Sequence, residues 1–279
     1  METEKRDILT PEIRPLRIGH VLVNWCGWIF MVASCVLQGP PYVLLMLLLY
    51  PFGLANRFGD AVVQWWVTTL QRLWRVKIIV DGLENVDPEQ TYVVVSNHRS
   101  HLDAVACIIA LKPRLRFGFV VKRSLSLIPI WGWFIWLNGY IPVDRERRGR
   151  RDQLASGVKY LQKGRSVLVF PEGTRAPDHR FRNFKKGAAV LAIRSQRPVL
   201  PVTVSGTASL LPKNSLYVRD GVVRIQIHPP IPTDGYRIEQ RDALVADMRD
   251  TIAAGYRLEA EGAALESNPE LLAQLVHKR

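Results

Sequence analysis

The chain has 279 residues, 48% hydrophobic and 23% charged, which suits one large α/β domain or a domain with an appendage. A disordered tail protein and a polytopic membrane protein are both excluded by that balance. Lys and Arg number 38 against 25 Asp and Glu, a net charge of +13, which favours an anionic partner: nucleic acid, a phospholipid surface or a phosphorylated substrate. The cysteines, Cys26, Cys35 and Cys107, form no C-x-x-C, which argues against a disulfide framework and a zinc–thiolate site.

Residues 1–17 mix acidic and basic side chains, unlike the basic start of a secretory signal. Ile18–Leu37 then carries no charge, Gln38-Gly39-Pro40-Pro41 reads as a turn, and Tyr42–Tyr50 is apolar again before Pro51 and Gly53. A bilayer span needs ~20 apolar residues, so the pair reads as a helical hairpin that barely spans or dips into one leaflet. Arg14, Arg17 and Arg57 flank it, which places both ends on the cytoplasmic, inner face. A buried hairpin of a soluble protein is the competing reading. Val62–Val76 carries Trp65, Trp66 and Trp74, which suit a membrane interface or a core. We expect residues 1–75 to be a membrane-associated helical region and 76–279 an α/β domain.

From Lys77 onward, short β-branched runs alternate with helical stretches. The expected strands are Lys77–Val80, Tyr92–Val95, Arg116–Val121, Tyr140–Val143, Ser166–Phe170, Val199–Val204 and Val223–His228. The expected helices are His101–Leu111, Arg151–Lys163, Ala188–Arg194 and Arg237–Ala264, with a short one in Ser267–Arg279. This alternation predicts a mixed sheet covered by helices, with site residues in the loops at the strand ends.

Such a loop is Asn97-His98-Arg99-Ser100-His101-Leu102-Asp103. His98 in the turn and Asp103 at the helix start can meet, the carboxylate accepting from one imidazole nitrogen and fixing the tautomer. The other nitrogen is then free to take a proton. This is the base and orienter of a Ser-His-Asp triad without the serine, able to activate a hydroxyl supplied by a substrate. The same spacing also fits a helix start with polar caps. Read as metal ligands, His98, His101 and Asp103 would want a further partner, and His20, His179, His228 and His277 stand in no ligand motif. No metal is expected.

Gly139-Tyr140-Ile141-Pro142-Val143-Asp144-Arg145 runs from a strand into a basic turn, where Arg145 offers a planar fork for phosphate. In Phe170-Pro171-Glu172-Gly173-Thr174-Arg175, Pro171 stops the strand and Gly173 permits close backbone approach. Thr174 and backbone N–H groups can donate to an anion, Arg175 adds a second fork, and Glu172 can hold an arginine. Each is equally a salt-bridged turn. Val199-Leu200-Pro201-Val202 carries no reactive group.

Taken together, these blocks resemble the lysophosphatidic acid acyltransferases (1-acyl-sn-glycerol-3-phosphate acyltransferases) among the glycerolipid acyltransferases. N-H-x4-D matches Asn97, His98 and Asp103; G-x-I-x-x-x-R matches Gly139, Ile141 and Arg145; F-P-E-G-T-R matches Phe170–Arg175; V-P-V is met by Leu200-Pro201-Val202. Pro142 and Arg99 depart from the residues common at their positions, and the resemblance runs from about Lys77 to His228.

The resemblance implies the glycerolipid acyltransferase fold, and transfer of a fatty acyl group from acyl-CoA or acyl-carrier protein to a lysophospholipid hydroxyl. The usual acceptor is 1-acylglycerol 3-phosphate and the product phosphatidate. It makes His98 the general base and Asp103 its orienter. Arg145, Gly173 and Arg175 then bind phosphate, Glu172 and Thr174 shape the loop, and Lys122 and Lys186-Gly187 are further anion candidates. A bilayer surface is the expected location, the arginine run Arg145–Arg151 helping to dock it. No cofactor beyond the donor is implied. The competing classes are acylation of another lysolipid or aminolipid acceptor, a non-catalytic membrane-docking module, and a nucleic-acid binder. No recognisable nucleic-acid motif supports the last.

Overall fold

The β-branched runs become the strands β1 (Val76–Asp81), β2 (Val93–Ser96), β3 (Phe117–Lys122), β4 (Ile141–Val143), β5 (Ser166–Val169), β6 (Val199–Ser205) and β7 (Gly221–Ile227). The computed structural model describes residues 18–128, 131–138, 140–143, 150–175 and 182–266. The strands form one sheet of order β1-β7-β6-β2-β5-β3-β4, in which β6 and β7 run antiparallel and the other neighbours parallel. It is the mixed sheet that the alternation predicts. All residues of β2 and β6 are buried, as strands covered on both faces must be.

The period-two alternation of a strand divides the core. Val94 points into one layer with Leu168, Leu200 and Val202, while Val93 and Val95 point into the other with Val167 and Val199. Helices α3 (Ala55–Leu73) and α4 (Leu102–Leu111) cover the first face. Helices α6 (Arg150–Gln162), α7 (Gly187–Ser195) and α9 (Arg241–Glu266) cover the second. Two short helices have no counterpart among the expected elements: α5 (Trp131–Leu137) and α8 (Thr207–Leu210). Ser267–Arg279, Gly139 and Arg145 lie outside the described residues.

The two apolar arms expected on either side of Gln38-Gly39-Pro40-Pro41 form one continuous helix, and a hairpin arises instead between that helix and α3. Gln38-Gly39-Pro40-Pro41 does not reverse the chain. Helix α1 (Ile18–Ala33) passes through a π-helical stretch, Ser34–Gln38, into α2 (Gly39–Leu49), all of it right-handed. The wider π turn relieves the clash of a proline ring with the preceding carbonyls. Pro40 and Pro41 open α2 directly after this stretch. The reversal comes at Gly53, in the left-handed region with φ 69°. Helix α3 then runs back along the first arm: Tyr42 stacks on Phe58, Trp66 Nε1 donates to Ser34 Oγ at 2.7 Å, and Trp28 meets Trp74.

α3 belongs to both regions expected on either side of residue 75. Val63, Val67 and Leu70 are buried in the sheet's core. On the same helix, Asp60 pairs with Lys112 after α4 and lies 3.7 Å from both Arg116 and Arg165 at the N-terminal ends of β3 and β5. The Lys112 side chain is 3% exposed, and burial lowers its pKa against the opposing pull of Asp60. Asp60→Ala would leave Lys112 and Arg165 without this carboxylate. Breaking a buried pair from one side costs about 3–5 kcal/mol, so a lower melting temperature is expected with the site geometry intact. Calorimetry of the variant checks this; an unchanged melting temperature would mean that water already screens the cluster.

Candidate active site

β2 ends at Ser96, and beyond it the chain is held by side chains instead of a strand ladder. Asn97, fully buried, donates from Nδ2 to the Val204 carbonyl at 2.7 Å and accepts the Val204 N–H at 2.8 Å. Its amide thus imitates one more backbone pairing to β6 and fixes where the next residue points. His98 comes next. Its Nδ1 lies 3.0 Å from Asp103 Oδ2, so a helix start brings residues five apart together.

Asp103 is fully buried, and every contact it makes is to a donor. Oδ2 also accepts the backbone N–H groups of Arg99 at 2.6 Å and Ser100 at 2.8 Å. Oδ1 accepts the Thr207 hydroxyl. Thr207 opens α8 after Gly206, whose φ of 83° and contact with the Val222 carbonyl leave no room for a Cβ. An accept-only carboxylate requires the proton on Nδ1 of neutral His98, a tautomer assigned from the network. Nε2 makes no hydrogen bond among the described residues. The Phe170 ring stacks on the imidazole at 4.2 Å between centroids, 19° from parallel.

The third block closes around the first. Glu172 is buried and accepts the His98 N–H at 2.8 Å and the Arg182 N–H at 3.2 Å. Burial raises its pKa, against the lowering by those two N–H groups and by Arg99. Among the described residues Glu172 is hydrogen-bonded through backbone amides, and an arginine acts on it through the field of Arg99. Arg99, also buried, lies over the Tyr256 ring of α9 at 5.2 Å.

Gly173 has φ 73°, and a Cβ there would stand 2.8 Å from Lys185 Nζ. The missing side chain lets the Lys185 chain cross the loop, while the Lys185 N–H is tied to the Pro171 carbonyl at 2.9 Å. Of the expected anion ligands, Lys122, Gly173, Thr174, Arg175, Lys186 and Gly187 line one cavity with His98. Lys186 also pairs with Asp242 at 2.9 Å. The structure adds Lys185, which no motif singles out beside Lys186.

That cavity has a volume of about 1410 Å³, beyond the ~300–1,000 Å³ of an ordinary small-molecule pocket. Its lining includes Lys122, Arg175, Lys185 and Lys186 and, among the described residues, no carboxylate. His101 lines it too, its pKa lowered by burial, then by Arg175 and His98, which favours the neutral ring. The rest is largely apolar. β3 pairs with β5 only as far as Phe119 and with β4 from Val120. Val120, Val121 and Val169 line the cavity beyond this parting, and Tyr42, Phe58 and Trp66 line it from the hairpin.

The site thus sets a His–Asp pair with a buried carboxylate and a basic lining, free of carboxylates among the described residues, over an apolar cavity on a mixed sheet. The acyltransferase family model matches residues 77–205. A 1-acyl-sn-glycerol-3-phosphate acyltransferase of Chlamydomonas reinhardtii is 33% identical over 249 residues, 86% of this chain and 72% of that protein. The alpha form from Homo sapiens is 32% identical over 190 residues, 67% of this chain and 66% of that one. The crystal structure of the lysophosphatidic acid acyltransferase PlsC from Thermotoga maritima superposes with a TM-score of 0.74 at 25% identity, over 87% of this chain and 97% of that one. The chain belongs to the 1-acyl-sn-glycerol-3-phosphate acyltransferase family.

Proposed function

We propose that the enzyme transfers a fatty acyl group from acyl-CoA or acyl-carrier protein to the free hydroxyl of 1-acylglycerol 3-phosphate, giving phosphatidate. The observation that carries this reading is the His98–Asp103 pair at 3.0 Å, with Nε2 left over, on the wall of a cavity that also holds Arg175 and Lys122. Nε2 takes the hydroxyl proton as the acceptor oxygen attacks the thioester carbonyl carbon. The tetrahedral intermediate collapses, the C–S bond breaks, and the imidazolium returns its proton to the leaving thiolate. Asp103 stabilises the imidazolium while it exists. The thioester already has a good leaving group, so no acyl-enzyme is required.

Arg175, Lys122 and the Gly173–Thr174 turn bind the acceptor phosphate, and Glu172 keeps their loop against His98. Arg145 joins them in this reading, its position lying outside the described residues. The hairpin seats the enzyme on the inner face of a membrane. The helix Val21–Phe52 is long and apolar enough to cross a bilayer; its most apolar stretch has a mean hydropathy of 1.8, with 17% of that stretch buried.

An assay matrix of lysolipid acceptors with both donor types, read by mass spectrometry, tests the reaction. Product from an aminolipid or from a lysolipid without a terminal phosphate, in preference to 1-acylglycerol 3-phosphate, would move the activity to that acceptor. Within the same matrix, Arg175→Ala should raise the acceptor KM. A charge-assisted hydrogen bond contributes roughly 1.5–3 kcal/mol, or about ten- to a hundred-fold, while the donor KM changes less. A raised donor KM with an unchanged acceptor KM would place the phosphate site elsewhere.

A further inference from the structure

We propose that α5 and the turn before it, Arg123–Leu127, form a second bilayer-inserting element, separate from the N-terminal hairpin and seated in an anionic phospholipid leaflet. This rests on reading the enzyme as one that works on membrane lipids.

Helix α5 is apolar on both sides. Inward, Ile135 and Leu137 are buried, and Leu137 shares a cluster with Val43, Met46 and Ala55 of the hairpin. Outward, Trp133 is 60% exposed and Trp136 64% exposed, three residues apart and so on one face. Leu127 is 76% exposed, and Leu125 and Ile128 are exposed beside it. A water-facing cluster of this size marks an interaction surface or an aggregation site.

Three observations make the occupant a bilayer. The patch is continuous with the exposed apolar face of the hairpin: Tyr50 stacks on Trp136, 6.2 Å between centroids, and Phe52 next to it is exposed. Tryptophan suits the boundary between acyl chains and headgroups. Lys122 and Arg123 stand exposed just before the patch, where lipid phosphates would lie. The cavity lining takes in both elements, Gln38, Pro41 and Leu45 from the first arm and Leu125 and Phe134 from the second. With both inserted, a lysolipid reaches the cavity between them without leaving the leaflet.

Full-length enzyme in phosphatidylcholine–phosphatidylglycerol vesicles, with and without brominated acyl chains, reads insertion independently of catalysis. Bromine quenches tryptophan only within the hydrocarbon. Trp133→Phe with Trp136→Phe should remove a measurable share of the quenchable emission. An unchanged quenchable share would overturn the proposal, and so would a second copy of the chain cross-linked over Leu127 and Trp133 and shielding them from lipid. In a second arm, Leu127→Asp with Trp133→Asp should lower turnover of a long-chain acceptor in vesicles about ten-fold or more, since a carboxylate is costly in hydrocarbon. Turnover of a short-chain, water-soluble acceptor should stay within about two-fold, because neither residue lines the cavity. Equal loss on both acceptors, or none on either, refutes the element. A native enzyme inactive on every acceptor would instead defeat the reading of its function, and the quenching result would still stand.

Discussion

His98→Ala is expected to abolish acyl transfer while leaving lipid binding and the fold in place. The imidazole lies against Phe170 and Asp103, and its ring, 18% exposed, is not part of the closed core. Its removal leaves the backbone clamp from Asn97 to Val204 and the Glu172 contact to the residue-98 N–H intact. What disappears is the proton acceptor. A secondary hydroxyl is a weak nucleophile at neutral pH, and loss of a general base costs about 10²–10⁴ in rate. Vesicle binding and circular dichroism of the variant should match the native protein. Near-normal turnover would remove His98 from the mechanism and leave the cavity's cations to act by positioning alone.

Parts of this site are legible in the sequence because they are local. Asn97, His98 and Asp103 fall within seven residues, and Phe170–Arg175 within six. A strand end leading into a helix start brings each set together. The β-branched runs likewise announce their strands, since buried parallel strands need apolar residues at every position. Thr207 is different. It reaches Asp103 across 104 residues, and only the return of β6 beside β2 puts it there. Nothing in Ser205-Gly206-Thr207 marks it beyond a glycine after a strand. Glu172 is visible in its motif, but its partners are backbone amides, which a sequence does not display.

The departures from expectation have physical causes of the same kind. Gly39-Pro40-Pro41 carries strong turn chemistry, yet a helix under lateral packing keeps going by widening one turn. Helix α5 is seven residues of Trp-Gly-Trp-Phe-Ile-Trp-Leu, too short and too uniformly apolar to show a helical period. Asp60 is the lone carboxylate of α3, and its partners Lys112, Arg116 and Arg165 come from later segments. This cluster and the shared core make α3 the joint through which the hairpin is held in fixed relation to His98. On the proposed reading, in which the acceptor sits in a leaflet, that joint needs to be stiff.

Asp103→Asn separates charge from geometry, because the four donors around the carboxylate are not equivalent. Three of them, His98 Nδ1 and the N–H groups of Arg99 and Ser100, meet Oδ2. The fourth, the Thr207 hydroxyl, meets Oδ1 and can rotate to accept. Asparagine therefore keeps its carbonyl oxygen on the first three and turns its amide toward Thr207. The loop and the His98 tautomer survive, and thermal stability should change little. The negative charge that stabilises the imidazolium is gone, so turnover should fall, but by less than the about 10⁴ in kcat that the corresponding change costs a Ser-His-Asp triad, where the wrong tautomer results. Asp103→Ala strands all four donors in a buried site instead. Each unsatisfied group costs about 1–3 kcal/mol, so this variant should lose both stability and activity. Melting temperatures and single-turnover rates measured on the two variants separate the roles. If the asparagine enzyme turns over at near-native rate, Asp103 is a helix-start clamp whose charge takes no part in the transfer.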